Sequence, residues 1–299
     1  MNSRTRNRWY KNGKALIDEI TASHPQVQEA YVWFFGQHGF VVCLDGLVFY
    51  IDVVLTDLLD RDGKSLRAYP PPFAPAEIQR VDYVLCTHNH IDHLNLDTLL
   101  PLAKANPQAR FVVPAPFQKL LVDSGIAADK ALAAKVGENL LFPTPAGNIV
   151  ELFPVPAIHS KYVNEQGEGE TDAGGQYVSV GFLLKGSKVS LYHSGDTWVT
   201  PPLLDALKAH SPVDIAMLPI NGTDWERTAE NCVGNMNPLD AAKLSCAVPF
   251  DLVIPSHYDM ITSNSENPAR FAEVMYALCP EKRFHICALG ERFVYRKGN

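Results

Sequence analysis

The chain has 299 residues, 46% of them hydrophobic and 20% charged, which is ordinary for a globular protein with a full core. A formal net charge of -7 argues against a general nucleic-acid binder, because such proteins present a basic surface. No apolar stretch approaches membrane-spanning length, and the basic start MNSRTRNRWYKNGKA has no apolar segment behind it, so neither a membrane partner nor a secretory signal is expected.

In chain order, YVWFFG, FVVCLD and LVFYID predict a meander of three short strands with glycine-containing turns. RAYPPPFAP, residues 67–75, cannot be regular structure, because consecutive prolines lack amide donors; it reads as an extended surface loop. VDYVLCT reads as a buried strand, and DTLLPLAKAN as a helix with Asp97 as its N-cap. Further strands are expected at RFVVP, NIVELFPVPAI, YVSVGFLLKG, KVSLYHSG, DIAMLPI, DLVIPSH and FHICAL. Between the later ones, PPLLDALKAH, NPLDAAKLSCAV and NPARFAEVMYAL predict helices. A strand-rich first part followed by alternating strands and helices suits two sheets covered by helices, in one α/β domain spanning residues 1–299. The glycine- and acid-rich stretch 163–176 reads as a mobile loop, either a substrate lid or a solvated excursion. Six cysteines at 43, 86, 232, 246, 279 and 287 form no CxxC pair, which predicts reduced thiols and a cytoplasmic protein.

The chemistry-bearing segment is THNHIDH, residues 87–93, which follows directly on an apolar run. Imidazole nitrogens and carboxylate oxygens are the usual ligands of zinc and similar divalent ions. His88 and His90 can converge on one ion if the strand opens into a turn, while Asp92 and His93 turn toward a second. Three later strands also end on ligand-type residues: His159 in PVPAIHS, Asp196 in SLYHSGDT and His257 in LVIPSHYD. Strand ends are where sheet-based enzymes assemble their sites.

The series THNHIDH, His159, SGDT and PSHYD resembles the metallo-β-lactamase superfamily over most of the chain. MLPINGTDWER, GNMNPLDAAKL, IPSHYDM and the early IDVVLTD are similar to the L-ascorbate-6-phosphate lactonase family within it. The resemblance implies a four-layer αβ/βα sandwich, a two-metal site at one edge and a homo-oligomer. It assigns His88, His90 and His159 to one ion, Asp92, His93 and His257 to the other, and Asp196 to both. Ligand type leaves the two divalent ions open between zinc and manganese, with iron also permitted.

Other residues have two readings each. Asp52 either orients a metal-bound histidine or begins a turn, and His193 sits beside the ligands or in the layer behind them. Asn221, Trp225 and Arg227 follow a strand end and are candidates for substrate recognition, Arg227 by forking onto a phosphate. For Arg227 and Glu226 the alternative is a loop-stabilising network. Tyr258 is either an oxyanion donor or a packing aromatic, and Lys161 either a phosphate partner or a solvated charge.

A divalent cation lowers the pKa of bound water from 15.7 to roughly 7 in favourable cases. The leading expectation is therefore a hydrolase that directs such a water at a small anionic ester or lactone, possibly a phosphorylated sugar lactone, with Asp92 and Asp196 as the catalytic carboxylates. No G-x-S-x-G elbow offers a serine nucleophile instead. The alternatives are a phosphodiesterase or ribonuclease of the same fold and a non-catalytic metal-binding ligand sensor.

Overall fold

A computed structural model of the chain describes residues 8–159, 169–230 and 232–298. Its elements run α1 (Gly13–Thr21), β1 (Glu29–Gly36), β2 (Gly39–Leu44), β3 (Leu47–Ile51), β4 (Tyr83–Leu85), α2 (Leu96–Ala105), β5 (Arg110–Pro114), α3 (Gln118–Asp123), β6 (Ala131–Ala134) and β7 (Leu140–Pro143). The chain continues through β8 (Ile149–Pro156), β9 (Val180–Lys185), β10 (Ser190–His193), α4 (Pro201–His210), β11 (Val213–Pro219), α5 (Trp225–Ala229) and α6 (Pro238–Ala247). It closes with β12 (Phe250–Ser256), α7 (Pro268–Leu278), β13 (Arg283–Phe284) and β14 (Arg292–Arg296).

Two seven-stranded sheets result, ordered β14-β1-β2-β3-β4-β5-β6 and β13-β12-β11-β10-β9-β8-β7. Both mix parallel and antiparallel pairs. Strands β2, β3, β10 and β11 are buried throughout, so they read as continuous apolar runs rather than alternating ones; this is the pattern of strands covered on both faces. The facing sheets meet through aromatic contacts: Phe142 of β7 lies 3.9 Å from the Tyr83 ring and 5.9 Å from Phe49, centroid to centroid. The α/β sandwich expected from the element order is the observed architecture. No described helix is long and apolar enough to cross a membrane.

Local chemistry explains the joints. Asp45 and Gly46 link β2 to β3 with φ of 48° and 83°, the two positive values that a two-residue hairpin turn matching strand twist requires. Asn237 caps α6 by accepting the Asp240 amide at 2.9 Å, with Pro238 in the first helical position, where its missing donor costs nothing.

Several expectations need correction. The cap of α2 is Asn95, not Asp97: its Oδ1 takes the Thr98 amide at 2.8 Å and the Thr56 hydroxyl at 2.9 Å, leaving Asp97 in the first turn. The proline-rich loop is irregular and exposes Pro70 and Ala74, but it is anchored in the core by the buried Arg67 and Tyr69. Prolines bring no donors to satisfy, and the carbonyls of Pro70 and Pro72 are taken by Trp9 Nε1 and the Gly13 amide, both at 2.8 Å. FHICAL forms a strand only at its first residue, Phe284, because the chain then leaves the second sheet for the edge of the first. The elements α1, α3, α5, β6, β7 and β14 were not anticipated. Cys246 and Cys279 are joined as a disulfide with Cα atoms 6.1 Å apart, which removes the premise that all six cysteines are thiols. Their separation of 33 residues gives no spacing signal; the packing of α6 on α7 brings them together. Lys161 and residues 163–168 of the 163–176 stretch lie outside the described residues.

Phe142→Ala is expected to cost about 3–5 kcal/mol, the usual penalty for removing a buried aromatic. Urea unfolding monitored by circular dichroism checks this; a loss under about 1 kcal/mol would mean the Tyr83–Phe142 stack does not join the sheets.

Candidate metal centre

The site lies where strands of both sheets end on one edge. β3 and β4 are parallel, so Asp52 and Thr87 emerge side by side just past Ile51 and Leu85, which pair. In the second sheet, β8 and β10 each run antiparallel to β9, and β10, β11 and β12 are mutually parallel. The residues following β8, β10 and β12, namely His159, Asp196 and His257, therefore reach the same edge. Gly195 permits the junction: its φ is 60°, and a Cβ there would sit 2.8 Å from Thr87 Cβ and 2.9 Å from the Val180 carbonyl oxygen.

The seven residues assigned to metal by resemblance are brought together. His90 Nδ1 lies 3.0 Å from His88 Nε2 and 3.1 Å from His159 Nε2. Asp196 Oδ2 lies 3.1 Å from His257 Nε2, 3.4 Å from His93 Nε2 and 3.6 Å from His159 Nε2, so it faces both halves of the cluster. Asp92 Oδ2 is 3.7 Å from both His93 Nε2 and His257 Nε2. The sets His88–His90–His159 and Asp92–His93–His257 each present ligand atoms within 4.8 Å of one another. A tetrahedral zinc with bonds of about 2.0–2.1 Å spaces its ligands roughly 3.3 Å apart. His93 Nε2 and Asp196 Oδ1 are buried without a hydrogen-bond partner among the described residues, which a cation at the centre would remedy. The donor set therefore fits divalent metal. His90 is exposed, which leaves one side open to solvent.

Asp52 governs the imidazole orientations. Its Oδ1 accepts the Thr87 amide at 2.8 Å; its Oδ2 accepts the Thr87 hydroxyl at 2.6 Å and faces His93 Nδ1 at 2.7 Å. The Thr87 proton is thereby spent, so the 3.1 Å contact between Thr87 Oγ1 and His88 Nδ1 requires His88 to donate. Both histidines then carry Nδ1–H and direct Nε2 inward as a lone pair when neutral. Asp52 itself is strained, with φ of 50°, as are Gln37 at 53° and His257 at 58°. Non-glycine residues in the left-handed region cluster at functional sites.

Electrostatics divide the cluster. Burial pushes His88 well below the usual imidazole range, lowers His90, and takes His159 down to about 4. These three are neutral, as ligands must be. Burial would also lower His93, but Asp196, Asp52 and Asp92 outweigh it and raise that group well above its ordinary value. Burial would raise Asp196, yet His257 and His93 hold it well below the carboxylate range.

Gln37 was not foreseen from the sequence. It sits in the β1–β2 turn, fully buried, and its Nε2 donates to Asp92 Oδ2 at 2.8 Å and lies 3.3 Å from His257 Nε2. Its amide donates to Asp259 Oδ1 at 3.0 Å, and its carbonyl accepts the His257 amide. A turn glutamine carries no ligand signature, so only the FFGQHG glycines hinted at a constrained bend. His38 and His193 form a layer behind the ligands: His193 Nε2 donates to the His38 carbonyl at 2.8 Å, and His38 spans Ser256 Oγ and the Gly195 carbonyl.

Three of the substrate-recognition candidates, Arg227, Asn221 and Tyr258, are engaged elsewhere. Arg227 donates to Asp224 Oδ2 at 2.6 Å, to Asn264 Oδ1 at 2.8 Å and to the Asn221 carbonyl at 3.0 Å through both terminal nitrogens. That is the loop-clamping network, with no guanidinium edge left to fork onto phosphate. Asn221 is buried between Asn264 and Asn235. Tyr258 is buried against Phe34, and its hydroxyl donates to the Cys287 carbonyl at 3.4 Å, so it is a packing aromatic rather than an oxyanion donor. Trp225 is 78% exposed at the start of α5.

Known proteins agree with this picture. A family model described as "Beta-lactamase superfamily domain" matches residues 49–258. A "UPF0173 metal-dependent hydrolase" of Caldivirga maquilingensis is 25% identical over 220 residues, covering 74% of this chain and 83% of its own. The "N-acyl-phosphatidylethanolamine-hydrolyzing phospholipase D 1" of Caenorhabditis elegans is 26% identical over 212 residues, covering 68% of this chain and 57% of its own. Among solved structures, the metallo hydrolase Igni18 of Ignicoccus hospitalis shares the fold with a TM-score of 0.67 at 19% identity, over 90% of this chain and 100% of that one.

Asp52→Asn leaves one hydrogen-bond acceptor too few, and metal affinity is expected to fall about 10–100-fold, read by chelator competition. Unchanged affinity would show that the histidines need no such orientation. Because Asp196, Asp52 and Asp92 favour the protonated form of His93 in the metal-free protein, loading at neutral pH should release protons, read by calorimetry in buffers of differing ionisation enthalpy. Loading without proton release would contradict the charge assigned to His93.

Proposed function

This chain belongs to the beta-lactamase superfamily and is a metal-dependent hydrolase, and on that premise we propose that it uses two divalent cations to cleave a small anionic ester or lactone. The convergence of His88, His90 and His159 beside Asp92, His93 and His257, with Asp196 between, carries the reading. His88, His90 and His159 would hold one cation, Asp92, His93 and His257 the other, with Asp196 shared. When bound, the cations would supply Lewis acidity and a strongly acidified water. Either zinc or manganese suits a set rich in both imidazole and carboxylate, and iron also fits.

The chain's own side chains account for the rest. Asp196 stays ionised at neutral pH because His257 and His93 oppose the effect of its burial, so it can accept a hydrogen bond or proton from the attacking water. Asp92 has the same capacity, and its free direction is set by Gln37, which occupies Oδ2 at 2.8 Å. The exposed His90 side is the route by which substrate would arrive. With Arg227 committed to its loop, an anionic group on the substrate would be met by the cations themselves.

A phosphorylated sugar lactone is the specific form of this proposal, supported by the similarity of MLPINGTDWER and IPSHYDM to the ascorbate-phosphate lactonase family. A phosphodiester is the second reading, favoured by the likeness to the phospholipase D of Caenorhabditis elegans. The same cation pair would serve either bond, so the substrate class distinguishes them.

Chelation should abolish hydrolysis and metal add-back restore it. His90→Ala should lose bound metal and turnover together, by roughly a thousandfold in rate if about 4 kcal/mol of transition-state stabilisation goes with the cation. Rates on a phosphorylated sugar lactone, its unphosphorylated counterpart and a phosphodiester decide the substrate class. An unchanged rate in metal-stripped protein would end the proposal.

A further inference from the structure

A second group of ligand-type side chains converges where the chain makes its last passage between the sheets. β13 ends at Phe284 on the edge of the second sheet, and β14 begins at Arg292 on the edge of the first. On the connecting stretch, His285, Cys287 and Glu291 each present one donor atom, all three within 4.8 Å of one another. None belongs to the cluster described above.

The three are held rather than loosely adjacent. Glu291 Oε2 accepts the Ala288 amide at 2.7 Å, and its Oε1 faces His285 Nε2 at 3.0 Å. The His285 amide donates to the Val253 carbonyl of β12 at 2.9 Å, which anchors that residue to the second sheet. The Gly290 amide donates to the Phe34 carbonyl of β1 at 2.8 Å, which anchors the other end to the first. Cys287 is buried, while the His285 and Glu291 side chains are 33% and 29% exposed, so water can reach one side of the group.

We propose that His285, Cys287 and Glu291 form a second, three-ligand site for a divalent cation of the zinc class on the crossover between the two sheets. A thiolate, an imidazole and a carboxylate are the three ligand types zinc accepts, and the solvent-facing side leaves a fourth position for water. The soft sulfur separates this site from the hydrolytic cluster, whose donors are all nitrogen and oxygen. Burial and the Glu291 charge hold the Cys287 thiol protonated in the metal-free protein. Binding therefore forms the sulfur–metal bond as the S–H bond breaks and the proton leaves to solvent, with no change of oxidation state. Without metal, Glu291 Oε1 and His285 Nε2 face each other at 3.0 Å beside a buried thiol.

Cobalt(II) titration of the purified full-length chain, in a thiol-free reductant, tests this directly. Thiolate ligation gives a near-ultraviolet sulfur-to-cobalt charge-transfer band, which the nitrogen and oxygen donors of the hydrolytic cluster cannot produce. The expected result is such a band in the wild type, displaced by zinc and absent from Cys287→Ser. Glu291→Gln, on a half-exposed side chain, should fold normally and weaken the cobalt affinity read from the band by about tenfold or more, since loss of a ligand costs at least as much as loss of its supporting partner. Hydrolysis by Glu291→Gln should remain at the wild-type level. No thiolate band at cobalt levels that fill the hydrolytic cluster overturns the proposal. So does a band that survives Cys287→Ser. Should Cys287→Ser fail to fold, an unchanged affinity in Glu291→Gln overturns it instead.

Discussion

One carboxylate organises the centre. Asp52 takes the Thr87 amide and hydroxyl and faces His93, and through the Thr87 hydroxyl it also decides which nitrogen of His88 carries the proton. Two imidazoles from one turn are thus aimed inward by a residue that is not itself in the ligand set. The cost is visible in the backbone, where Asp52 adopts a left-handed conformation that few non-glycine residues tolerate. The β3–β4 ladder sustains it, because the Asp52 amide donates to the Leu85 carbonyl at 2.9 Å in continuation of the strand pairing.

That local arrangement matters only because two sheets end at one edge. Parallel pairing of β3 with β4, and of β11 with β10 and β12, carries each emerging residue to the same side of the sandwich. Gly195 lets the second sheet approach the first closely enough for Asp196 to reach between the histidines. The aromatic contacts of Phe142 on β7 with Phe49 and Tyr83 join the two sheets on the same β3 and β4 strands that lead into the site.

The charges follow from burial and proximity rather than from composition. A chain with an excess of acids has buried two carboxylates among five imidazoles, and the resulting field keeps Asp196 ionised while leaving His88 and His159 neutral. Groups that looked suited to gripping a substrate, Arg227 and Asn221 above all, hold the 221–235 loop to Asn264 instead.

The THNHIDH turn and the ligand-type residues at the ends of later apolar runs were legible in the sequence, because strand periodicity and donor chemistry are local properties. So was the fold class, through the order of strands and helices and through resemblance. Asp52 was legible as one of two readings, but Gln37, the part Thr87 plays between Asp52 and His88, and the burial of Tyr69 were not, since nothing in a residue's type says which strand end it will meet. Arg227 shows the same limit from the other side: its chemistry suits phosphate, but Asp224 and Asn264 are the acceptors that folding puts within reach. Sequence by itself determined which atoms can bind a cation; tertiary structure decided which of them face one another, because that depends on sheet pairing between segments far apart along the chain.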